Sequence, residues 1–216
     1  IIYYYIFFTC IITIQSTGAV SRTPQLASTS FDIPVTVAAG TGTRLALAIT
    51  GNQVTIAAQS VPTYAGVSMT AVAAANSTDT LTIATRWYIL DSPTVGTANI
   101  NVTNPGNTNN CAYFWMVVDG ALAGSAGSIG NYAVTATVTP ATATVGANDM
   151  GIVAAVFLAG NPTSMVAGTT AIGASAIDTA QGAAPKGWAG YKVGASPAFN
   201  GASGQLAWAT LVIPGA

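Results

Sequence analysis

The 216-residue sequence predicts an all-β protein, an antiparallel β-sandwich of jelly-roll type with about ten strands. Three observations lead to this prediction. Short stretches of alternating apolar and polar residues recur along the chain, Gly, Pro and Asn separate them at regular intervals, and neither a heptad nor a long helical periodicity is present. Many short strands with regular turn spacing are typical of sandwiches and jelly rolls.

The first thirty residues differ from the rest of the chain. Residues 1–14 (IIYYYIFFTCIITI) are apolar apart from two threonines and are rich in strand-forming side chains. Two interpretations remain open: the apolar core of a secretory signal with a cleavage site at residues 19–21, or an arm that adds a strand to a neighbouring subunit. The residues assigned to such an assembly arm are Ile1, Tyr3, Tyr5, Phe7 and Ile11.

Residues 15–30 are polar, contain Gly18 and Pro24, and are predicted to be a linker. The predicted organisation is therefore a leader or arm plus linker over residues 1–30 and a single β-sandwich domain over residues 31–216. Within that domain the first strands are predicted at 31–37, 44–50 and 53–58, with turns at 38–43 and 51–52. Further strands are predicted at 81–90, 97–102, 111–118, 132–138, 150–157 and 205–213, and Gly- and Ala-rich loops at 120–130 and 167–187.

Several of these segments resemble a known module. The order of residues 64–70 (YAGVSMT), 86–90 (RWYIL) and Ser92-Pro93 with Gly96 is similar to a β-sandwich module of bacterial secreted proteins and phage structural proteins. In that module a Tyr-Gly-Gly-Val-x-Leu/Met-Thr hairpin precedes a Trp-Tyr-Leu strand and a Pro-Pro-x-Gly turn. Ala65 stands where Gly is usual and Thr94 where a second Pro is usual. The resemblance implies the fold and a secreted or virion structural role, and it supplies no catalytic residues.

The composition argues against catalysis. Charged residues make up 5% of the chain, against about 25% in ordinary soluble domains, and the net charge is −1. All six acids are Asp, and the absence of His excludes a Ser-His-Asp triad and removes the commonest metal ligand and proton carrier. Five scattered cations give no electrostatic footprint for nucleic acid. We therefore predict no enzymatic activity, no cofactor and no metal; Asn148-Asp149 lacks the Asp density of a calcium loop.

The remaining candidates are aromatic residues and cysteines. Trp188 and Tyr191 lie in a Gly-rich stretch with Lys186 and Lys192, a combination that could bind sugars; alternatively, these rings belong to a loop that folds back onto the sandwich. Trp87, Trp115 and Trp208 lie in apolar strands and are predicted to be core residues. Cys10 and Cys111 could form one disulfide or remain two buried thiols.

The sequence as a whole predicts a non-enzymatic structural subunit of an extracellular or virion assembly. Capsid decoration, a tail or fibre component and a surface filament all fit a sandwich that self-associates through neutral faces, because a net charge near zero favours association. The expected partners are copies of the same chain and other virion or surface proteins. The alternative is a carbohydrate-binding or adhesive module of a secreted protein, with glycans as partners.

Overall fold

The computed structural model describes residues 11–22, 30–52, 60–72, 77–78, 83–103, 111–134, 144–157, 164–173, 186–200 and 204–215. Every regular element in these ranges is a β-strand, and every strand pair is antiparallel, which confirms the predicted fold class. Within them no helix is long and apolar enough to cross a membrane.

Ten of the described strands have eight residues or more, in agreement with the predicted number. They are β1 (Thr13–Arg22), β2 (Ser30–Val37), β3 (Arg44–Asn52), β8 (Ile83–Asp91), β9 (Gly96–Thr103), β10 (Cys111–Asp119), β11 (Ala126–Val134), β12 (Met150–Phe157), β15 (Lys186–Val193) and β17 (Gly204–Ile213). Seven further strands have two residues each: β4 (Thr63–Tyr64), β5 (Val67–Ser68), β6 (Thr70–Ala71), β7 (Ser77–Thr78), β13 (Ser164–Met165), β14 (Thr170–Ala171) and β16 (Phe199–Asn200).

The first part of the chain forms a jelly roll. One sheet, sheet 1, has the order β1-β10-β3-β8 with the short strands β6 and β7 beside β8. The facing sheet, sheet 2, has the order β2-β9-β4-β5. In this part of the chain the first long strand, β1, and the last, β10, are neighbours in sheet 1. The second, β2, and the second-last, β9, are neighbours in sheet 2. This is the strand order of a jelly roll.

A third sheet covers the outer face of sheet 1. Sheet 3 has the order β11-β17-β12-β15-β14, and a two-stranded sheet, β13-β16, accompanies it. Sheet 1 is therefore buried on both faces: Trp87 and Phe114 pack towards sheet 3, whereas Tyr88 and Tyr113 pack towards sheet 2. Because both faces of a doubly covered strand are apolar, β8 and β10 read as continuous apolar runs instead of alternating ones.

The predicted linker is wrong for residues 15–22, which lie in β1. This strand pairs with β10 from Thr13 opposite Asp119 to Arg22 opposite Cys111. It lacks an alternating pattern because it is the edge strand of sheet 1 and residues 14–20 are half-buried throughout. Gly18 is required in it, since a Cβ there would lie 2.4 Å from the Trp115 ring. Residues 23–29 lie outside the described part of the chain.

Three predicted loops and turns also contain strand. β11 begins at Ala126 inside the predicted 120–130 loop and ends at Val134, and β15 occupies the end of the predicted 167–187 loop. The predicted turn at 51–52 is the end of β3. Glycine in these strands allows another sheet to approach the backbone closely and does not indicate a turn. For example, a Cβ on Gly187 would lie 2.3 Å from Thr50 Oγ1 in sheet 1. The predicted strand over 53–58 and residues 135–138 lie outside the described residues.

Candidate functional site

A cavity lies at one end of sheet 1, where β3 begins and β8 ends. It has a volume of about 170 Å³ and is lined by Gly42, Thr43, Arg44, Asp91, Ser92, Ala121 and Ala123. We refer to it as the Arg44 cavity. Its lining brings together the first residue of β3, the last residue of β8 and the connector that follows β10. These residues are neighbours because Arg44 and Asp91 are directly opposite in the β3–β8 pairing.

The buried guanidinium of Arg44 is the main charged group of this cavity. Arg44 is only 3% exposed. Its Nε lies 2.8 Å from Asp91 Oδ1, and its Nη1 donates to the carbonyl oxygen of Gly124. The Asp91 side chain is 63% exposed, so water reaches one side of the ion pair. A buried cation requires such partners because desolvation without them is costly.

Ser92 lies beside the ion pair in a left-handed backbone conformation. Its φ is 51°, and its backbone N–H donates to the carbonyl oxygen of Thr43 at 3.0 Å. A residue with a Cβ pays about 1–2 kcal/mol for this conformation relative to glycine. The main-chain bond to Thr43 joins the end of β8 to the start of β3, and so it fixes the rim of the cavity.

Asp119, the last residue of β10, joins the neighbouring turn to the sheet. Its Oδ1 accepts a hydrogen bond from Thr43 Oγ1 at 2.5 Å, and its Oδ2 accepts one from Gln15 Nε2 at 2.7 Å. Gln15 Oε1 in turn accepts from the backbone N–H of Ala38 at 2.8 Å. A Cβ on Gly40 would lie 2.1 Å from Asp119 Oδ1, so glycine is needed where the turn passes over the carboxylate.

Asp149 has the corresponding role at the start of β12. Its Oδ2 accepts from the backbone N–H of Gly146 at 2.8 Å, and its Oδ1 accepts from that of Gly215 at 3.1 Å. Both carboxylate oxygens therefore hold backbone groups. The described residues contain no group of three metal-binding side chains.

The arrangement around the Arg44 cavity holds backbone in place. Arg44 already donates to Asp91 and to Gly124, and the chain contains no His that could act as a base for Ser92. Sequence reasoning did not single out this site. The sequence feature that indicates this site is Arg44, a charged residue at the start of an otherwise apolar strand (RLALAIT).

The four residues predicted as a sugar-binding site lie in β15, not in a loop. Trp188 and Tyr191 are three residues apart in this strand and therefore lie on opposite faces of sheet 3. Tyr191 packs against the core shared with sheet 1, and Trp188 packs on the other side. Lys192 Nζ donates to the carbonyl oxygen of Ala167 at 3.4 Å, and Lys186 is the first residue of the strand.

Trp188 is not available as a stacking platform, because it is only 2% exposed. Its ring meets Phe199 edge to face with centroids 5.1 Å apart, and Phe157 meets Phe199 at 5.7 Å. Its Nε1 has no hydrogen-bond partner in the described part of the chain. Of the two interpretations, rings that pack back onto the sandwich agree with the burial of Trp188, although the stretch is a strand and not a loop. The strand sends one ring to each face of a covered sheet, so the two aromatics do not form an exposed pair.

The other predicted residues are placed as follows. Trp87 and Trp208 are core residues, as predicted, and half-buried Trp115 packs against the core between sheets 1 and 2. Of the predicted arm, Ile11 is 59% exposed, and Ile1, Tyr3, Tyr5 and Phe7 lie outside the described residues. Cys111 is buried and Cys10 lies outside the described residues, so the disulfide stays a prediction.

Comparison of the chain with protein-family models, with curated proteins and with solved structures finds no match.

Proposed function

We propose that the protein is a non-enzymatic structural subunit of an extracellular or virion assembly and self-associates through neutral β-sandwich faces. Capsid decoration, a tail or fibre component and a surface filament are the roles that fit. The expected partners are further copies of the chain and other surface or virion proteins.

The observation that carries this proposal is how the few carboxylates are used. Of the six Asp residues, four lie in the described part of the chain, and each accepts hydrogen bonds or pairs with a cation. Asp91 pairs with Arg44, Asp119 and Asp149 hold turns, and Asp32 accepts from two asparagine side chains. Carboxylates used in this way stabilise the fold and are poor candidates for general acids, bases or nucleophiles.

The exposed face of sheet 2 has the character expected of a contact surface in such an assembly. Its neighbouring strands β2 and β9 present hydroxyl and amide groups to solvent, with Thr36 Oγ1 and Thr97 Oγ1 2.8 Å apart. Asn99 Nδ2 and Asn101 Nδ2 donate to the two carboxylate oxygens of Asp32 at 3.1 and 2.7 Å. One charge among several neutral groups gives little repulsion between copies.

Mass in solution tests the proposal. Sedimentation velocity or light scattering over a hundredfold concentration range is expected to show species larger than the 21.5 kDa monomer, and electron microscopy should show regular contacts between copies. The variants Thr36→Lys and Thr97→Lys, made one at a time because the two residues are directly opposite, each place a charge on the sheet 2 face and should reduce association with little change in Tm. A protein that stays monomeric throughout refutes the proposal, and retention on a polysaccharide column would then favour a carbohydrate-binding or adhesive module.

A further inference from the structure

Sheets 1 and 3 have the same strand order. In sheet 1 the order is β1-β10-β3-β8 with β6 beside β8, and in sheet 3 it is β11-β17-β12-β15 with β14 beside β15. In both, the first strand in sequence pairs with the last, and a short strand pairs with the second-last, β6 with β8 and β14 with β15. Outside these sheets, β4 pairs with β9 in the first part and β13 with β16 in the second.

Hydrogen bonds outside the strand ladders repeat as well. After β6, the N–H of Val72 donates to the carbonyl of Trp87 at 3.0 Å; after β14, the N–H of Ile172 donates to the carbonyl of Ala189 at 3.0 Å. These bonds join corresponding elements in the two parts, since β6 pairs with β8 as β14 pairs with β15. The agreement extends the similarity from strand order to single residues.

The end of the Arg44 cavity is repeated in the same way. The N–H of Ser92 donates to the carbonyl of Thr43 at 3.0 Å, and the N–H of Gly194 donates to the carbonyl of Asp149 at 2.8 Å. Ser92 and Gly194 both have positive φ, 51° and 71°. The strand pairings make Met150 and Val193 the counterparts of Arg44 and Asp91. The ion pair is thus present in one part and replaced by apolar residues in the other.

A faint sequence repeat follows from this register. The sequence that contains the end of β10 is VVDGA (residues 117–121), and the sequence that contains the end of β17 is VIPGA (residues 212–216). Thr70-Ala71 of β6 corresponds to Thr170-Ala171 of β14. Corresponding residues share backbone position and burial more often than side-chain identity.

Sheets 1 and 3 also stack as a two-fold pair would. β3 packs on its own counterpart β12, and the contact of β8 with β17 has its symmetric equivalent in the contact of β10 with β15. At the edge, a Cβ on Gly173, just after β14, would lie 2.4 Å from Ala19 Cβ of β1. An interface in which each contact is repeated between the counterparts of its two elements is isologous, as in a two-fold dimer.

We infer that the chain is two jelly-roll halves fused in tandem, and that the core between sheets 1 and 3 is a two-fold dimer interface made permanent by the connector at residues 122–125. The partner that fits the apolar face of each half is a second copy of the same fold. This inference does not depend on the proposed function, and it places any contacts between separate molecules on other surfaces.

The interface has diverged so that large side chains on one side meet small ones on the other. In sheet 1, one cross-strand row consists of Phe114, Ala48 and Trp87; the corresponding row in sheet 3 is Ala209, Ala154 and Ala189. All six are buried in the shared core. Trp87 Nε1 donates to the carbonyl oxygen of Ala209 at 3.0 Å, across the interface. Close packing allows large groups on one side only, because two facing large groups would overfill the core.

Exchanging the two rows in the full-length chain tests the inference. W87A/F114A should lower Tm by more than about 10 °C, because it removes two large buried side chains. Adding A189W and A209F moves the same side chains to the symmetric positions and should recover at least half of that loss. The control variant W87A/F114A/A154W/A209F moves the indole to the central strand and should recover none. Recovery in the control, or a fourfold exchange no more stable than W87A/F114A, overturns the inference.

A circular permutant provides a second test that does not require repacking. Residues 126–216 are placed first and joined to residues 16–121 by a copy of the connector, residues 122–125 (LAGS). If the halves are related by a two-fold axis, this four-residue linker spans the gap as the natural one does. The permutant should then unfold cooperatively with a Tm within about 10 °C of that of the linear chain 16–216, which lacks the same residues, Ile12 and Gln15 among them. A permutant without cooperative unfolding contradicts the two-fold arrangement.

Discussion

Removing the carboxylate of Asp91 should destabilise the protein through the cation that it leaves behind. The Arg44 guanidinium is 3% exposed and lies 2.8 Å from Asp91 Oδ1. Breaking a fully buried ion pair from one side costs about 3–5 kcal/mol, but the Asp91 side chain is 63% exposed and water can replace part of the contact. We therefore expect Asp91→Ala to cost about 2 kcal/mol of unfolding free energy, or roughly 4–8 °C in Tm.

The double variant R44M/D91V is expected to be more stable than the single variant Asp91→Ala, although it removes both charges. It installs the pair found at the corresponding positions of the second half, Met150 and Val193, and removes the desolvation cost of the buried charge. We expect it to lie within about 1 kcal/mol of the original chain and above Asp91→Ala, because the carbonyl of exposed Gly124 can turn to water.

Urea unfolding followed by tryptophan fluorescence measures both variants, with Asp91→Asn as a control that keeps an acceptor oxygen and loses the charge. Asp91→Asn should be intermediate. A loss below about 0.5 kcal/mol for Asp91→Ala, or a double variant less stable than Asp91→Ala, would refute the reasoning that buried charge dominates at this site.

Three other predictions concern single residues. Ala65→Gly should raise the unfolding free energy by about 0.5–1 kcal/mol in urea, because Ala65 has φ 49°; a loss would show that the turn does not limit stability. Burial raises the pKa of Tyr64 above its usual 10.0, so this side chain stabilises the fold below that pH and the contribution disappears as the pH rises through the higher folded-state value. Tyr64→Phe should remove this alkaline loss in urea titrations between about pH 8 and 12, and an unchanged profile would contradict the assignment. Asp149→Ala should cost about 1.5–3 kcal/mol by calorimetry, since the N–H groups of Gly146 and Gly215 lose a charged acceptor; a cost no greater than that of Asp149→Asn would argue against the role of the charge.

The hairpin at residues 63–68 shows what the sequence resemblance anticipated and what it did not. Residues 65 and 66 both have positive φ, 49° and 80°, as a two-residue hairpin turn of this type requires. The glycine that the resemblance leads one to expect at position 65 would suit this conformation. Tyr64 Oη lies 3.2 Å from the carbonyl oxygen of Gly96, so the hairpin is held to the start of β9 by a buried ring that no local pattern could indicate.

For the candidate site, the sequence indicates where each residue lies in its strand but not which residues pair. Arg44 and Asp91 could each be assigned to the end of a strand, but their pairing depends on the β3–β8 register, which joins residues 47 positions apart. The sugar-binding interpretation of Trp188 and Tyr191 shows the converse case. Its residues are close in sequence, and a strand conformation directs Trp188 and Tyr191 to opposite faces.

The sequence by itself determined that the chain is an antiparallel sandwich of about ten strands, because apolar runs broken by Gly, Pro and Asn have few other ways to bury their side chains. It also determined that charge would be scarce everywhere. The tertiary structure alone decided that the halves repeat one fold and bury sheet 1 twice, and that glycines such as Gly187 lie in strands. Strand order and sheet stacking arise from contacts between distant residues, and such contacts leave only a faint trace in the order of amino acids along the chain.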